Sequence, residues 1–263
     1  MNEPIEDTPS KYGVIRQQTD IVLRRLYFDR PHMFIIRRGH KILNHNGAEY
    51  HAATGEIIVV SAGHFVDMTN IPDQDGLYEA EAFIFGRDAI KRVPLEPTRL
   101  KPVGHFMPPA GFETSTQSAR EALTGEHSLP PTIITHRVAE LLAWARAYGL
   151  NPGGATSQHL AIRLRQLIAP EPGRNWSVPE LAKLLAISPP TLRRNLSSQG
   201  LSATEIIHDV RMTHALSLLQ TTTTAITGIA FDVGYQSPSR FAARFLARFG
   251  VSPNDIRKSP NGK

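Results

Sequence analysis

The chain has 263 residues, 29 Lys+Arg against 24 Asp+Glu, a net charge of +5 and 41% hydrophobic residues, enough to build two separate cores. It has no cysteine, which excludes disulfides, thiolate-bound zinc and thiol redox sensing. The first residues, Met1 to Asp7, are polar and acidic, unlike a secretory signal, and no apolar run approaches the roughly 18 residues of a membrane span, so a cytoplasmic protein without membrane contact is expected.

The first third of the chain reads as short strands. Ile21–Phe28, His32–Arg38, Glu49–Ala53, Glu56–Val60 and Leu77–Phe85 are rich in Ile, Val, Phe and Tyr. Turn residues punctuate them: Asp29–Pro31, Asn44–Gly47, Thr54–Gly55, Ala62–Gly63 and Pro72–Gly76. Many short strands with close turns predict a small barrel or jelly roll. Arg24, Arg25, Arg37 and Arg38 flank apolar positions, and strand alternation places some of them on the inner side. A buried Arg needs a carboxylate, which a bound anion can supply; the alternative is a set of solvated edge arginines.

His32, His40, His45, His51 and His64 are dense here, with Glu49 nearby. A metal site needs three or four convergent ligands. The reading is therefore polar loop histidines and no metal. No nucleophile–base pair or carboxylate pair stands out, so no catalytic residue and no cofactor are expected.

After the Pro-rich stretch Pro94–Pro109, helical periodicity returns in Thr114–Leu123, Ile133–Tyr148 and Gln158–Ile168. The second has an apolar face of Ile134, Val138, Leu141, Leu142 and Ala145. Such a face serves either a dimer contact or packing on its own domain. The polar, Pro/Gly-containing Ala169–Arg174 reads as a linker.

The remaining residues carry one pattern twice. Glu180–Ile187 (ELAKLLAI) precedes Ser188–Leu196 (SPPTLRRNL), and Gly228–Gln236 (GIAFDVGYQ) precedes Ser237–Phe245 (SPSRFAARF). Each copy predicts a short helix, a tight turn, a Ser N-cap with Pro at the first helical position, and a second helix. That is a helix-turn-helix, which lays its second helix in the major groove of double-stranded DNA. Leu192 and Leu196, like Phe241 and Phe245, lie one turn apart and define a buried face. Arg240, Arg244 and Arg248 form a stripe at i, i+4 and i+8. The DNA-binding candidates are Ser188, Pro190, Thr191, Arg193 and Arg194 in the first copy, and Gln236, Ser239, Arg240 and Arg244 in the second. A continuous helix from Ser202 to about Leu219 joins the copies. Residues 1–170 hold 18 Lys+Arg and 18 Asp+Glu, whereas residues 171–263 hold 11 and 6. All the excess positive charge thus sits where phosphates would be met.

Residues 174–260 resemble the DNA-binding domain of the AraC/XylS transcriptional regulators. The matching residues are Trp176-Ser177, Glu180-Leu181-Ala182, Ser188–Arg194, Asp209–Met212, Ala215, Ile229-Ala230, Val233–Ser239, Phe241, Phe245, Phe249–Pro253 and Arg257. The wording of the first recognition helix is most similar to the enteric virulence and acid-response regulators. The resemblance implies a transcription factor that acts with RNA polymerase, as an activator in the DNA-binding domain's usual role. It implies an N-terminal cupin-like barrel, carried here by Gly55–Gly63 (GEIIVVSAG), serving as sensor or dimerisation domain. The absence of cysteine sets the chain apart from the branch that accepts methyl groups during DNA repair.

Some members of the resembled group hold a fatty acid inside the barrel by basic residues, which implies a small anionic or fatty-acid-like effector for Arg24, Arg25, Arg37 or Arg38. Of the metal-binding cupin pattern, Gly39 and His45 keep the spacing, and Gly47 stands where the second His belongs. The family usually carries Arg at Ala243 and Lys at Leu246, so Arg240 and Arg244 are expected to hold phosphates rather than read bases.

The whole reading is an α+β two-domain chain. Residues 1–169 form a cupin-like sensor or dimerisation domain with helices in 114–168, 170–174 is the linker, and 175–263 is an all-α double helix-turn-helix. The competing readings are a DNA-binding regulator with a ligand-free dimerisation module, and a cupin metalloenzyme fused to a DNA-binding domain.

Overall fold

The computed structural model describes residues 9–93, 100–125, 128–151 and 160–258. Met1–Asp7, much of the Pro-rich stretch and the first two residues of the predicted Gln158–Ile168 helix lie outside them. The chain forms two compact units, residues 1–155 and 156–263.

In the first unit the strands are β1 (Lys11–Gln17), β2 (Ile21–Phe28), β3 (His32–Arg38), β4 (His40–His45), β5 (Ala48–Ala52), β6 (Ile57–Val60), β7 (His64–Ile71), β8 (Tyr78–Ile84) and β9 (Val103–Phe106). The helices are α1 (Arg87–Arg92), α2 (Phe112–Thr124) and α3 (Pro131–Ala147). The strands make two antiparallel sheets, ordered β1-β8-β3-β6-β9 and β2-β7-β4-β5. Among the described residues the sheets do not close into a barrel, so the cupin-like expectation is met by a two-sheet sandwich. The sequence patterning found five of the nine strands. It passed over β1, β4, β7 and β9, which carry Gly, Lys, Asn, His or Asp between their apolar residues and depend on their partners for definition.

Burial explains the composition of the strands. Alternate residues of β3 face opposite sides, and both sides are covered. Met33 and Ile35 join Ile57, Val59, Phe83 and Phe85 in a core shared with α2 and α3. The other side of β3 and β8 looks towards the second sheet, where Lys41 on β4 lies over the rings of Phe34 and Tyr78. In α3, Val138, Leu141, Leu142 and Ala145 are buried in the core under their own sheet. The apolar face that could have served a dimer contact is thus spent within the unit.

The second unit is helical: α4 (Leu160–Ile168), α5 (Val178–Leu184), α6 (Pro189–Ser197), α7 (Ala203–Thr221), α8 (Ile226–Asp232), α9 (Pro238–Phe249) and α10 (Pro253–Lys258). Here the domain boundary differs from the expectation. Helix α4 packs Ala161, Leu164 and Ile168 against Leu181, Leu192, Leu196 and Ile206, and Arg165 pairs with Asp209 on α7. It therefore belongs to the second unit, not to residues 1–169. The expected linker is also folded onto that unit. The Arg211 guanidinium donates to the carbonyls of Pro172 (2.9 Å) and Arg174 (3.0 Å). A Cβ on Gly173 would meet the Asp232 carbonyl at 2.2 Å, so only glycine fits this approach. Among the described residues no helix is long and apolar enough to cross a membrane.

Candidate nucleic-acid interface

Local sequence builds both helix-turn-helix copies in the same way. In the first, α5 ends at Leu185, Ala186 takes the left-handed conformation at φ 57°, and Ile187 N donates to Ala182 O at 3.0 Å. In the second, α8 ends at Val233, Gly234 sits at φ 82°, and Tyr235 N donates to Ala230 O at 2.9 Å. This is the αL stop that closes a helix end. Helices α6 and α9 then open on Ser188 and Ser237, whose side chains accept from Thr191 N and Arg240 N. Pro189 and Pro238 fill the first helical position, where a missing N–H is harmless. The connecting α7 opens with a reciprocal capping box between Ser202 and Glu205. Its 19 residues span about 28 Å at 1.5 Å per residue.

Each recognition helix buries one stripe: Leu192 and Leu196 on α6, and Phe241, Phe245 and Phe249 on α9. On the opposite side of α6, Pro190, Arg193 and Arg194 are exposed. Ser188 and Thr191 are partly committed to each other, their hydroxyls 2.8 Å apart. On the second copy Gln236, Ser239, Arg240 and Arg244 are exposed, as is Ala243. The nine DNA-binding candidates therefore lie on or beside the outer faces of the two second helices.

Two features separate the copies. The predicted arginine stripe is broken, because Arg248 turns to α7 and donates to Asp209 at 2.7 Å. Arg244 lies near enough to Tyr235 for its charge to act on the phenol. Tyr235 OH lies 3.1 Å from His208 Nδ1 on α7. Burial and then the Arg244 and Arg211 charges lower the His208 pKa, and burial raises that of Tyr235. This His–Tyr–Arg cluster joins α7, the turn and α9, and sequence spacing offered no sign of it. Leu246 is 49% exposed on α9 and Phe231 56% exposed on α8. Each second helix thus presents two exposed arginines, Arg193 and Arg194 on α6 and Arg240 and Arg244 on α9.

The four arginines proposed for an effector do not meet in a pocket. A β-bulge between Leu23 and Leu26, with Arg25 at φ 51°, exposes both Arg24 and Arg25. Arg37 bonds Glu81 at 2.7 Å and both oxygens of Glu113 at 2.9 Å. Arg38 bonds Asp73 and Asp75 at 2.7 and 2.6 Å. Their carboxylates come from the chain itself, which corrects the expectation of an anionic ligand at these positions. Of the histidines, His32 is partly buried, with Nδ1 2.8 Å from Arg30 O, and loss of solvent around the ring drives its pKa down to about 3. His45 and His64 face each other at 3.1 Å. Among the described residues no three His, Asp or Glu side chains converge as for a metal.

Residues 181–259 match the family model described as a helix-turn-helix domain, so this part of the C-terminal unit is a helix-turn-helix domain. Among its relatives, the urease operon transcriptional activator of Escherichia coli is 32% identical over 94 residues, covering 36% of this chain and 32% of that protein. The ornithine utilization regulator of Pseudomonas aeruginosa is 35% identical over 101 residues, covering 38% and 30%. VirF, the virulence regulon transcriptional activator of Shigella flexneri, is 27% identical over 99 residues, covering 38% of each. The chain thus spans about a third of the length of these relatives.

The fold of the whole chain is similar to that of ToxT from Vibrio cholerae. The structure of ToxT with an unsaturated fatty acid bound aligns with a TM-score of 0.68 at 14% identity, over 100% of this chain and 99% of that one.

If Arg240 and Arg244 hold phosphates, alanine at either weakens specific and non-specific duplex binding alike, and lowers the salt slope by about one unit each. Titration of one specific and one scrambled duplex over a range of salt checks this. A loss confined to the specific duplex would show that they read bases.

Proposed function

We propose that the protein is a one-component transcription regulator that binds double-stranded DNA through α6 and α9 and acts with RNA polymerase. It is not an enzyme, and it works in the cytoplasm. The observation that carries this reading is the pair of capped, outward-facing second helices set on one connecting helix. The likeness to named transcriptional activators over this region supports it. Helix α6 reads bases, chiefly through Arg194 with Pro190, Thr191 and Arg193 beside it. Helix α9 holds the backbone.

The N-terminal unit gates this activity by binding a small apolar anion. The fold it shares with ToxT, which carries an unsaturated fatty acid in one of its structures, supports this over a pure dimerisation module. So does α3, whose buried face is used within its own unit. A ligand can act here only through its difference in affinity for the two functional states.

Selection of bound duplexes from a random pool gives the operator. On it, Arg194→Ala is expected to cost about 1–3 kcal/mol and to relax preference at one or two base pairs. An Arg194→Ala protein that selects the same site with undiminished preference would remove α6 as the reader.

A further inference from the structure

The turn before the second recognition helix is held from α7 by an imidazole. His208 is half-buried, and its Nδ1 lies 3.1 Å from the Tyr235 hydroxyl. Arg211, three residues on, shares that face of α7. Its guanidinium lies 5.9 Å from the Tyr235 ring centroid and donates to the Gly234 carbonyl at 3.3 Å. The Tyr235 ring sits 5.8 Å from that of Phe241, which is fully buried on α9. Two residues after Tyr235 comes Ser237, the N-cap of α9. His208 thus reaches, through one side chain, the residues that set where α9 begins and how it seats.

The charges that act on this imidazole are positive. Arg244 from α9 and Arg211 from α7 both oppose its protonation, after burial. The other charged groups around α7 are engaged elsewhere. Asp209 holds Arg165 from α4 and Arg248 from α9. Glu205, one turn before His208, closes the capping box with Ser202. Arg257 from α10 donates to the carbonyls of Thr222 and Thr224, and Asp232, the charged residue of α8, is exposed. Double-stranded DNA supplies the missing negative charge. A phosphate on Arg244 cancels part of what keeps His208 neutral, and its own charge favours the imidazolium. A neutral imidazole can accept from the phenol or donate to it, whereas an imidazolium only donates. Protonation therefore leaves the Tyr235 hydroxyl hydrogen free to turn to a phosphate oxygen.

We infer that His208 is a positioning residue for α9, and that seating Arg244 on a phosphate is coupled through it to the uptake of one proton. This rests on the reading of Arg244 as a phosphate contact. The sign follows from linkage. His208 is neutral in the free protein and charged in the complex, so the complex binds more protons. Affinity for DNA then rises as pH falls towards and below the ordinary imidazole value of 6.5, by at most about tenfold per pH unit for one proton.

Binding of the full chain to a duplex of the selected operator, at pH 6, 7 and 8 and one salt concentration, tests this. Wild type should bind several-fold tighter at pH 6 than at pH 8. Calorimetry at pH 6.5 in two buffers of different ionisation enthalpy should show net proton uptake, and the His208 ring signals in nuclear magnetic resonance should titrate at higher pH with the duplex than without it. His208→Asn keeps an amide close to the Nδ1 position and cannot titrate, so it should lose that part of the pH dependence and the proton uptake. Tyr235→Phe, which removes only the hydroxyl, should weaken binding more at pH 6 than at pH 8. A His208→Asn protein with the pH dependence of wild type overturns the proposal, as does wild-type binding without proton uptake. A loss in His208→Asn that is equal at every pH shows a packing contact only, and overturns it too. Arg244→Ala with an unchanged salt slope removes the phosphate reading and this proposal with it. A slope lowered by about one unit, with no proton uptake in wild type, keeps the phosphate reading and removes the coupling alone.

Discussion

Replacing Lys41 with methionine is expected to stabilise the ligand-free N-terminal unit by about 3–5 kcal/mol at pH 7 and below. The cause is the cost of placing an ammonium between two sheets with no counter-charge among the described residues. In the unfolded chain the amine titrates at its ordinary 10.5, and in the folded chain burial lowers this to about 7. Between these values the unfolded state holds a proton that the folded state has released. Stability therefore falls as pH drops from 10.5 to 7, by about 1.4 kcal/mol per pH unit. Below 7 both states are protonated and the cost is constant.

Methionine keeps nearly the same volume and has no charge. Asn70 loses a donor in the exchange, which returns about 1 kcal/mol of the gain. Chemical denaturation of wild type and variant at several pH values between 6 and 10 checks the argument. The wild type should gain stability with pH over this range, and the difference between the proteins should shrink as pH rises. A Lys41→Met protein less stable than wild type at pH 7 would mean that the ammonium is well compensated in place.

The second large effect lies in the DNA-binding unit. Asp209 on α7 accepts from Arg165 on α4 and, at 2.7 Å, from Arg248 on α9. The Arg165 side chain is only 5% exposed. One carboxylate thus ties the first helix of the unit to the second recognition helix. Asp209→Ala leaves two guanidiniums, one of them buried, without their shared counter-charge, and is expected to cost about 3–5 kcal/mol. Against a typical domain stability of about 5–15 kcal/mol, that is enough to shift the unit's unfolding far towards ambient temperature. The double variant Arg165→Met with Asp209→Leu should recover most of the loss, because matched apolar groups carry no desolvation cost. Thermal unfolding followed by circular dichroism reads both. A single variant within about 0.5 kcal/mol of wild type would show that water already solvates the pair.

The C-terminal unit was legible in the amino-acid order because its signals are local. A Ser three residues before the N–H it caps, a Pro at the first helical position and an apolar pair one turn apart each act within a turn or two of chain. Ser188, Ser202 and Ser237 could therefore be placed without knowing what the helices pack against. The existence of a β-rich N-terminal half was legible for the same reason, through the apolar runs of β2, β3, β6 and β8.

Tertiary structure decided what depended on a partner far along the chain. Arg37 could be read as facing inward or outward, and only the approach of Glu81 and Glu113, 44 and 76 residues away, settled its role. Alternation shows that a strand has two faces but not which is covered. The bulge between Leu23 and Leu26 then put two successive arginines on the outer side, which no strict period of two allows. Lys41 shares its parity with Leu43, a sign of burial that acquires meaning only when Asn70, Phe34 and Tyr78 close around it. Arg248 likewise continues the basic stripe of α9 by spacing, yet is turned away by Asp209, because an ion pair across helices outweighs helical phase in deciding where a long side chain points.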